Sequence, residues 1–380
     1  MDADVGVIGV GTMGSMAMWQ LAKQGISVMG FEQFGTGHDR SAAGGETRIF
    51  RTAYLEGPQY VPLLQESYNL WLDLEQETGN DLLTLNGGLM IGDPDEESMK
   101  NVIRSIETFD LDHEILSGKE AKDRFPQHHL LPNEMMVLDK QAGFLRPEFA
   151  VVSAVHRAEE LGAVVHRHSQ VEEVNPDTDG VTIYANGKDY RVGKVIITAG
   201  PWAGELVPEV KQQLEVRRIV MTWFPSMNLK QFRADQFPIF IRRSNDLNFF
   251  GIPTVDGSMV KIALNTTYGK VDNPDYLNRT VELQDLSVVS GAVRDLIPSL
   301  LSDPVRVSAY MDAYTSDDHS IVGKVPGYQN TIVLCGFSGH GFKMAPIMGR
   351  IAAELTVDGS THFSIDHLSP ERFSKTDQEA

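Results

Sequence analysis

The chain opens on a short apolar run, Asp4-Val-Gly-Val-Ile-Gly9, in which β-branched residues stand together rather than alternating with polar ones. That is the composition of a strand covered on both faces, as in a parallel sheet. From Ser15 to Gln24 the period changes: Met16, Trp19, Leu21 and Ala22 recur at helical spacing, and Gly25 supplies a stop. Ile26 to Phe31 reads as a second strand closing at Glu32. Helices are predicted over Tyr60 to Glu77, where Leu64, Tyr68, Trp71 and Leu72 form an apolar stripe, over Asp93 to Phe109, and over Pro147 to Leu161. Leu83 to Ile91 reads as a hairpin, Ala163 to Val174 as a strand and turn, and Gly180 to Ala185 with Tyr190 to Ile197 as another hairpin.

The pattern shifts after residue 214. Short apolar runs follow one another, among them Val216 to Phe224, Phe237 to Ile241, Leu247 to Ile252, Met259 to Leu264 and Val305 to Ala313. They predict an antiparallel sheet in a second domain. The last strand, Thr331 to Leu334, leads into the glycine-rich turn Cys335-Gly-Phe-Ser-Gly-His-Gly-Phe-Lys343 and a helix from about Met344 to Leu355, returning the chain to the first domain. Two closely joined domains suit 380 residues, more than one core usually serves.

Charge narrows the partners. With 33 basic and 52 acidic residues the formal charge is −19, which repels nucleic acid and anionic lipid surfaces. No apolar run approaches the roughly 20 residues of a membrane span, and no basic stretch with a cleavage site opens the chain, so a cytoplasmic location is expected. A single cysteine, Cys335, excludes an intramolecular disulfide and speaks against a cysteine-based metal centre; no metal is expected.

The first chemical motif is Gly9-Val-Gly11-Thr12-Met13-Gly14 between the first strand and helix. Gly9 allows the tight turn, Gly11 lets the backbone approach a pyrophosphate, and Gly14 lets the helix pack on the strand. Glu32, 18 residues beyond Gly14, is placed to accept from ribose hydroxyls. The motif alone serves NAD and FAD equally.

Later segments carry more. Gly45-Glu-Thr-Arg48-Ile-Phe-Arg51-Thr-Ala-Tyr54 is followed by Glu56-Gly-Pro-Gln-Tyr-Val-Pro-Leu, then Ala142-Gly-Phe-Leu, Thr198-Ala-Gly200-Pro-Trp202, and Gly336-Phe-Ser-Gly-His-Gly-Phe-Lys343. On these residues nearly the whole chain resembles the monomeric sarcosine oxidase and N-methyltryptophan oxidase family, which includes bacterial fructosyl-amino-acid oxidases. The resemblance implies an α/β plus α+β flavoprotein: a Rossmann-like FAD domain of the glutathione-reductase type over 1–88, 145–214 and 320–380, and a mostly antiparallel substrate domain over 89–144 and 215–319.

It also implies roles. Arg51 and Lys343 would hold a substrate carboxylate, a pairing that guanidinium and ammonium chemistry supports, with Tyr54 and Asp312 also at the substrate. Lys261 would sit beside the flavin and promote oxygen reduction. FAD would contact Gly9, Gly11, Thr12, Met13, Gly14, Glu32, Gln33, Arg40, Ser41, Gly44, Glu46, Thr47, Arg48, Val171, Ala199, Gly200 and Trp202. From the late turn it would meet Gly336, Phe337, Ser338, Gly339, His340, Gly341, Phe342 and Lys343, with glycine amides facing the flavin and His340 held by hydrogen bonds rather than acting as a base. The implied reaction oxidises the C–N bond of an N-substituted amino acid and reduces O2 to hydrogen peroxide, in a monomer or small homo-oligomer.

Departures refine this. Tyr310 stands where many relatives carry the cysteine that links FAD covalently, so noncovalent FAD is expected. Gly44, Asn265, Asp312 and the pair Phe249-Phe250 replace bulkier or aromatic pocket groups, and the glycine at 44 is expected to open room beside the flavin. A wider, more polar pocket suggests a fructosyl amino acid, with sarcosine or another N-methyl amino acid as the near alternative. A flavin dehydrogenase using another electron acceptor, an NAD enzyme, and a noncatalytic flavin-binding scaffold are the rivals.

Overall fold

A computed structural model describes residues 1–54, 57–244 and 246–373. Glu56 of the second motif and the polar tail from Ser374 lie outside the described residues.

The first strand, Ala3–Ile8, pairs in parallel with Val28–Glu32 on one side and Lys188–Ile197 on the other. Val164–Arg167 extends this sheet beyond Val28–Glu32, and Thr331–Cys335 extends it beyond Lys188–Ile197, both in parallel. Thus segments from the beginning, middle and end of the sequence become neighbours. The first helix, Thr12–Lys23, is buried from Met13 to Ala22 because it is wedged between helices Pro147–Glu160 and Ala345–Val357. Gly349 permits the closeness, since a Cβ there would lie 2.5 Å from the backbone carbon of Met16. The hairpin predicted from 180 to 197 forms, closed by Asn186 and Gly187 at φ +50° and +73°, the two-residue turn that matches strand twist.

A second, eight-stranded sheet holds Glu215–Phe224, Ile239–Ser244, Leu247–Ile252, Val260–Leu264 and Arg306–Tyr314 together with Gly88–Gly92, His113–Leu116 and Met135–Asp139. It is mostly antiparallel; Ile239–Ser244 runs parallel to Gly88–Gly92. One face packs on helix Leu283–Leu296 through Phe249, Ile262 and Leu264, a helix hidden in the sequence among short apolar runs. The other face carries Met221, Trp223, Lys261 and Asp312 toward the first domain.

The hairpin expected over Leu83 to Ile91 does not form. Leu83–Leu85 pairs with Gly143–Leu145, whereas Gly88–Gly92 joins the large sheet. Between them Gly87, at φ +80°, passes the chain from one sheet to another, while the Asn86 amide donates to the carbonyls of Ala234 and Phe237. Leu72 also departs from its stripe: it is exposed, whereas Leu64 and Trp71 are fully buried.

Candidate active site

One cleft runs from the first glycine turn to the large sheet and encloses about 2100 Å³ of space, counted out to solvent. At its nucleotide end the glycines are sterically required. A Cβ on Gly14 would lie 2.0 Å from the Gly9 carbonyl oxygen, and one on Gly9, already at φ +84°, 2.7 Å from that of Thr198. Gly11 meets nothing closer than Ser41 Cβ at 3.8 Å, so its backbone faces the cleft openly. Helix Thr12–Lys23 starts there without a side-chain cap, leaving its first amides for an anion. Thr198 Oγ1 donates to the carbonyls of Ile8 and Gly9, tying the 198–202 segment to this turn. The Glu32 carboxylate accepts from the amides of Val10 (3.0 Å) and Phe34 (2.8 Å) and faces the cleft.

These residues fit a dinucleotide. Thr12 Oγ1 and Thr47 Oγ1 are buried, border the cleft and have no hydrogen-bond partner among the described residues, which is costly unless a ligand such as a phosphate accepts from them.

The reactive end is built from cations. Lys261, 2% exposed, donates from Nζ to the carbonyls of Gly45 (2.9 Å) and Thr47 (3.0 Å). Burial, then the neighbouring Arg48, push its pKa well below the ordinary lysine value. The Arg48 guanidinium donates to the carbonyls of Ala42, Gly44 and Thr47. Amides of Gly45 and Glu46 are held by the Glu148 carboxylate at 2.7 and 2.9 Å. The loop from 42 to 48 therefore turns its carbonyls inward onto two cations and its amides toward one acid.

Arg51 and Lys343 are buried and both approach Tyr54: Arg51 Cζ lies 4.3 Å, and Lys343 Nζ 5.3 Å, from its ring centre. Both cations border the cleft, but Tyr54 is fully enclosed behind them and supports them. Its hydroxyl meets His340 Nδ1 at 2.9 Å, while His340 Nε2 is 2.9 Å from the Asp318 carbonyl. Since a carbonyl can only accept, Nε2 carries the proton, and the two contacts hold the imidazole in place. Lys343 is anchored further by its own carbonyl, which accepts from Ser67 Oγ and Trp71 Nε1.

Other expected contacts fall differently. Gly14, Gly44 and Glu46 lie behind the cleft wall, and Arg40 is exposed with its guanidinium over the Phe34 ring at 4.6 Å. The remaining residues expected at FAD, from Gln33, Ser41 and Val171 through Ala199, Gly200 and Trp202 to the turn at 336–343, border the cleft. Not all the late-turn amides face it, however. The Gly339 amide donates to Asp312 Oδ2 and that of Ser338 to the Ala313 carbonyl, so these two bind the turn to strand Arg306–Tyr314. Asp312 also accepts from the Ala313 amide, and burial raises its pKa to about 6.

The room expected at Gly44 is taken. A Cβ there would lie 2.7 Å from Tyr310 Cε1, so the tyrosine ring fills the volume that the glycine vacates. The two departures compensate each other. Burial raises the Cys335 thiol to about 12, in keeping with an inert side chain.

Sequence reasoning missed several supports. Asp139 accepts from the amides of Thr52 and Ala53 and fixes the segment bearing Arg51. Glu148, Ser67 and the Trp71 indole do comparable work from helices whose periodicity reads only as core. Glu148 at least sits in the first turn of a proline-started helix, where an acid is expected.

The cleft thus joins a cradle that fits a dinucleotide at one end to a cluster of cations at the other. The chain belongs to the FAD dependent oxidoreductase family, whose profile matches residues 4–355. Within it, the chain is 35% identical to the monomeric sarcosine oxidase of Streptomyces avermitilis over 376 residues, 98% of each protein. It is 29% identical to the N-methyl-L-tryptophan oxidase of Salmonella dublin, across 99% of this chain and 100% of that one. Among solved structures, NikD, an unusual amino acid oxidase essential for nikkomycin biosynthesis, superposes with a TM-score of 0.85 at 22% identity, covering 97% of both chains. Amadoriase I of Aspergillus fumigatus gives 0.80 at 17% identity, over 99% of this chain and 91% of that one. These two share the fold. Among the described residues no helix is long and apolar enough to cross a membrane, and no cluster of His, Cys, Asp and Glu is suited to a metal.

Proposed function

We propose that this flavin-dependent amine oxidoreductase oxidises the C–N bond of an N-substituted amino acid, passing electrons to O2 to give hydrogen peroxide. The observation that carries this is the pair Arg51 and Lys343, two buried cations bordering the cleft on either approach to Tyr54. A guanidinium and an ammonium so placed suit a carboxylate, and a carboxylate anchored there would fix the adjoining amine within the cleft. FAD, held by the glycine turn, Glu32, Thr12 and Thr47, would supply the two-electron chemistry. Lys261 and Arg48 would place positive charge where oxygen reduction develops negative charge, which favours O2 over a carrier.

The finer reading is a polar N-substituent, a fructosyl amino acid in the first instance. Asn265 and Asp312 support it by lining the chamber with hydrogen-bonding groups. Gly44 no longer does, because Tyr310 occupies its space. A peroxide-coupled screen tests both levels. Fructosyl-glycine, fructosyl-valine, sarcosine and the same amines without a carboxylate are compared under air. Peroxide only from carboxylate-bearing amines is expected; equal turnover of the decarboxylated amines would overturn the carboxylate anchor. Exclusive sarcosine activity would overturn the fructosyl reading, and dye reduction without peroxide would replace O2 by another acceptor.

A further inference from the structure

Lys261 depends on a turn whose shape comes from a residue the reaction itself does not use. Its two acceptors, the carbonyls of Gly45 and Thr47, flank Glu46, which adopts φ +75°. A non-glycine residue in that left-handed region is strained, and such strain persists only where the surroundings hold it. Here they hold it from both sides. The Glu46 amide is bound by Glu148, and its carboxylate accepts from the Trp223 indole N–H at 2.9 Å. Trp223 is opposite Lys261 in one strand pairing and opposite Arg306 in the other, so the three side chains stand abreast on the cleft face of the sheet. The indole lies 5.6 Å from Lys261 Nζ and 4.1 Å from the Arg306 guanidinium, and Arg306 reaches Glu46 at 3.7 Å.

We propose that Glu46 and Trp223 are positioning residues for Lys261: their hydrogen bond clamps the FAD-side loop to the substrate sheet and holds the ammonium against the carbonyls of Gly45 and Thr47. This rests on the reading of Lys261 as the group that serves oxygen. The clamp also has an electrostatic side. Burial and the charges of Arg48 and Arg306 disfavour the ammonium, while Glu148 and Glu46 favour it; the Tyr310 phenol, which packs on the same loop, is raised by burial and stays neutral. Removing the Glu46 charge therefore makes Lys261 lose its proton at lower pH.

The test separates the two half-reactions in Glu46→Ala, Glu46→Gln and Trp223→Phe, with Lys261→Met as reference. Glu46→Ala and Trp223→Phe should each slow flavin reoxidation by O2 about tenfold, the loss of one buried hydrogen bond to a charged group, while anaerobic reduction by substrate and KM for the amine stay as in the parent. Glu46→Gln retains an acceptor for the indole; it should reoxidise near the parental rate at low pH, with the fall at high pH moved to lower pH. A second readout needs no turnover: the affinity of each apoprotein for FAD, from quenching of flavin fluorescence, should stay within about twofold of the parent, since no phosphate or ribose contact is touched. The proposal is overturned if the Glu46 and Trp223 variants reoxidise like the parent while Lys261→Met is slow. A loss spread equally over both half-reactions together with weaker FAD binding overturns it too, as a merely structural role. If Lys261→Met itself reoxidises normally, the oxygen-serving reading falls, and the clamp's purpose with it.

Discussion

The two ends of the cleft solve opposite electrostatic problems by opposite means. At the nucleotide end the ligand brings the negative charge, and the protein answers with backbone amides at an uncapped helix start, glycines that keep side chains away, and the buried hydroxyls of Thr12 and Thr47. At the reactive end the protein buries its own positive charges, Arg48, Arg51, Lys261 and Lys343, and must satisfy them with its own carbonyls. A backbone cradle can be written in some thirty consecutive residues, as the Rossmann turn is. A cage for buried cations cannot, because no single segment supplies both the charge and enough acceptors. The comparison also explains how a chain of net charge −19 offers a cationic chamber: Arg48, Arg51, Lys261 and Lys343 border one end of the cleft whatever the balance of charge over the rest of the molecule.

The largest effect is expected at the rigid end. Gly14→Ala forces a methyl to within 2.0 Å of a backbone oxygen, so the variant should purify without bound flavin and lose about 3 kcal/mol or more of stability, read from the flavin absorbance and the melting midpoint. A yellow variant with the parental midpoint would show that the cradle yields, and the contrast with the cation cage would collapse.

Next, Lys343→Met should raise KM for a carboxylate-bearing amine about a hundredfold, roughly 3 kcal/mol, with a much smaller change in kcat. Lys343→Arg should recover part of this loss. An unchanged KM would mean that the anion is held elsewhere.

The smallest effect concerns the acid at the seam. The Asp312 carboxyl is raised to about 6, above its value of 3.8 in the absence of the fold, so folding favours its protonated form. Its contribution to stability is complete below pH 3.8 and is lost as pH rises through 6. Comparing Asp312→Asn apoprotein with the parent by denaturant unfolding, the difference should move in the variant's favour by about 2 kcal/mol between pH 4 and 7. A constant difference across that range would show that Asp312 titrates as it does in the unfolded chain.

Flavin attachment gives a further check on the compensated pair Gly44 and Tyr310. Acid precipitation should leave the yellow colour in the supernatant; colour in the pellet would mean a covalent link formed without the cysteine.

How much of this could be read from the chain depends on range. The first strand, helix and acid were readable because periodicity and glycine spacing within about thirty residues are enough to define them, although their packing partners lie far along the chain. The strands of the large sheet were readable as strands, but their order was not. Gly88–Gly92 reads in the sequence as half of a hairpin because local composition cannot say to which sheet a strand belongs. Arg51, Lys261 and Lys343 were identified as candidates through the resemblance, not through any pattern around them. Apart from Glu148, the supports of these cations had no signal: Trp71 and Ser67 look like core, and Asp139 like the end of a strand.

The sequence by itself therefore determined the dinucleotide turn, the acid that faces it and the supply of cations. Tertiary structure decided what those cations do. It brought Lys261 onto the carbonyls of a loop more than two hundred residues earlier, gave two late-turn amides to the sheet instead of the cleft, and filled the space at Gly44 with Tyr310. The physical reason is that burying a charge or filling a void is settled by whichever groups are nearest in space, and the chain order does not carry that information.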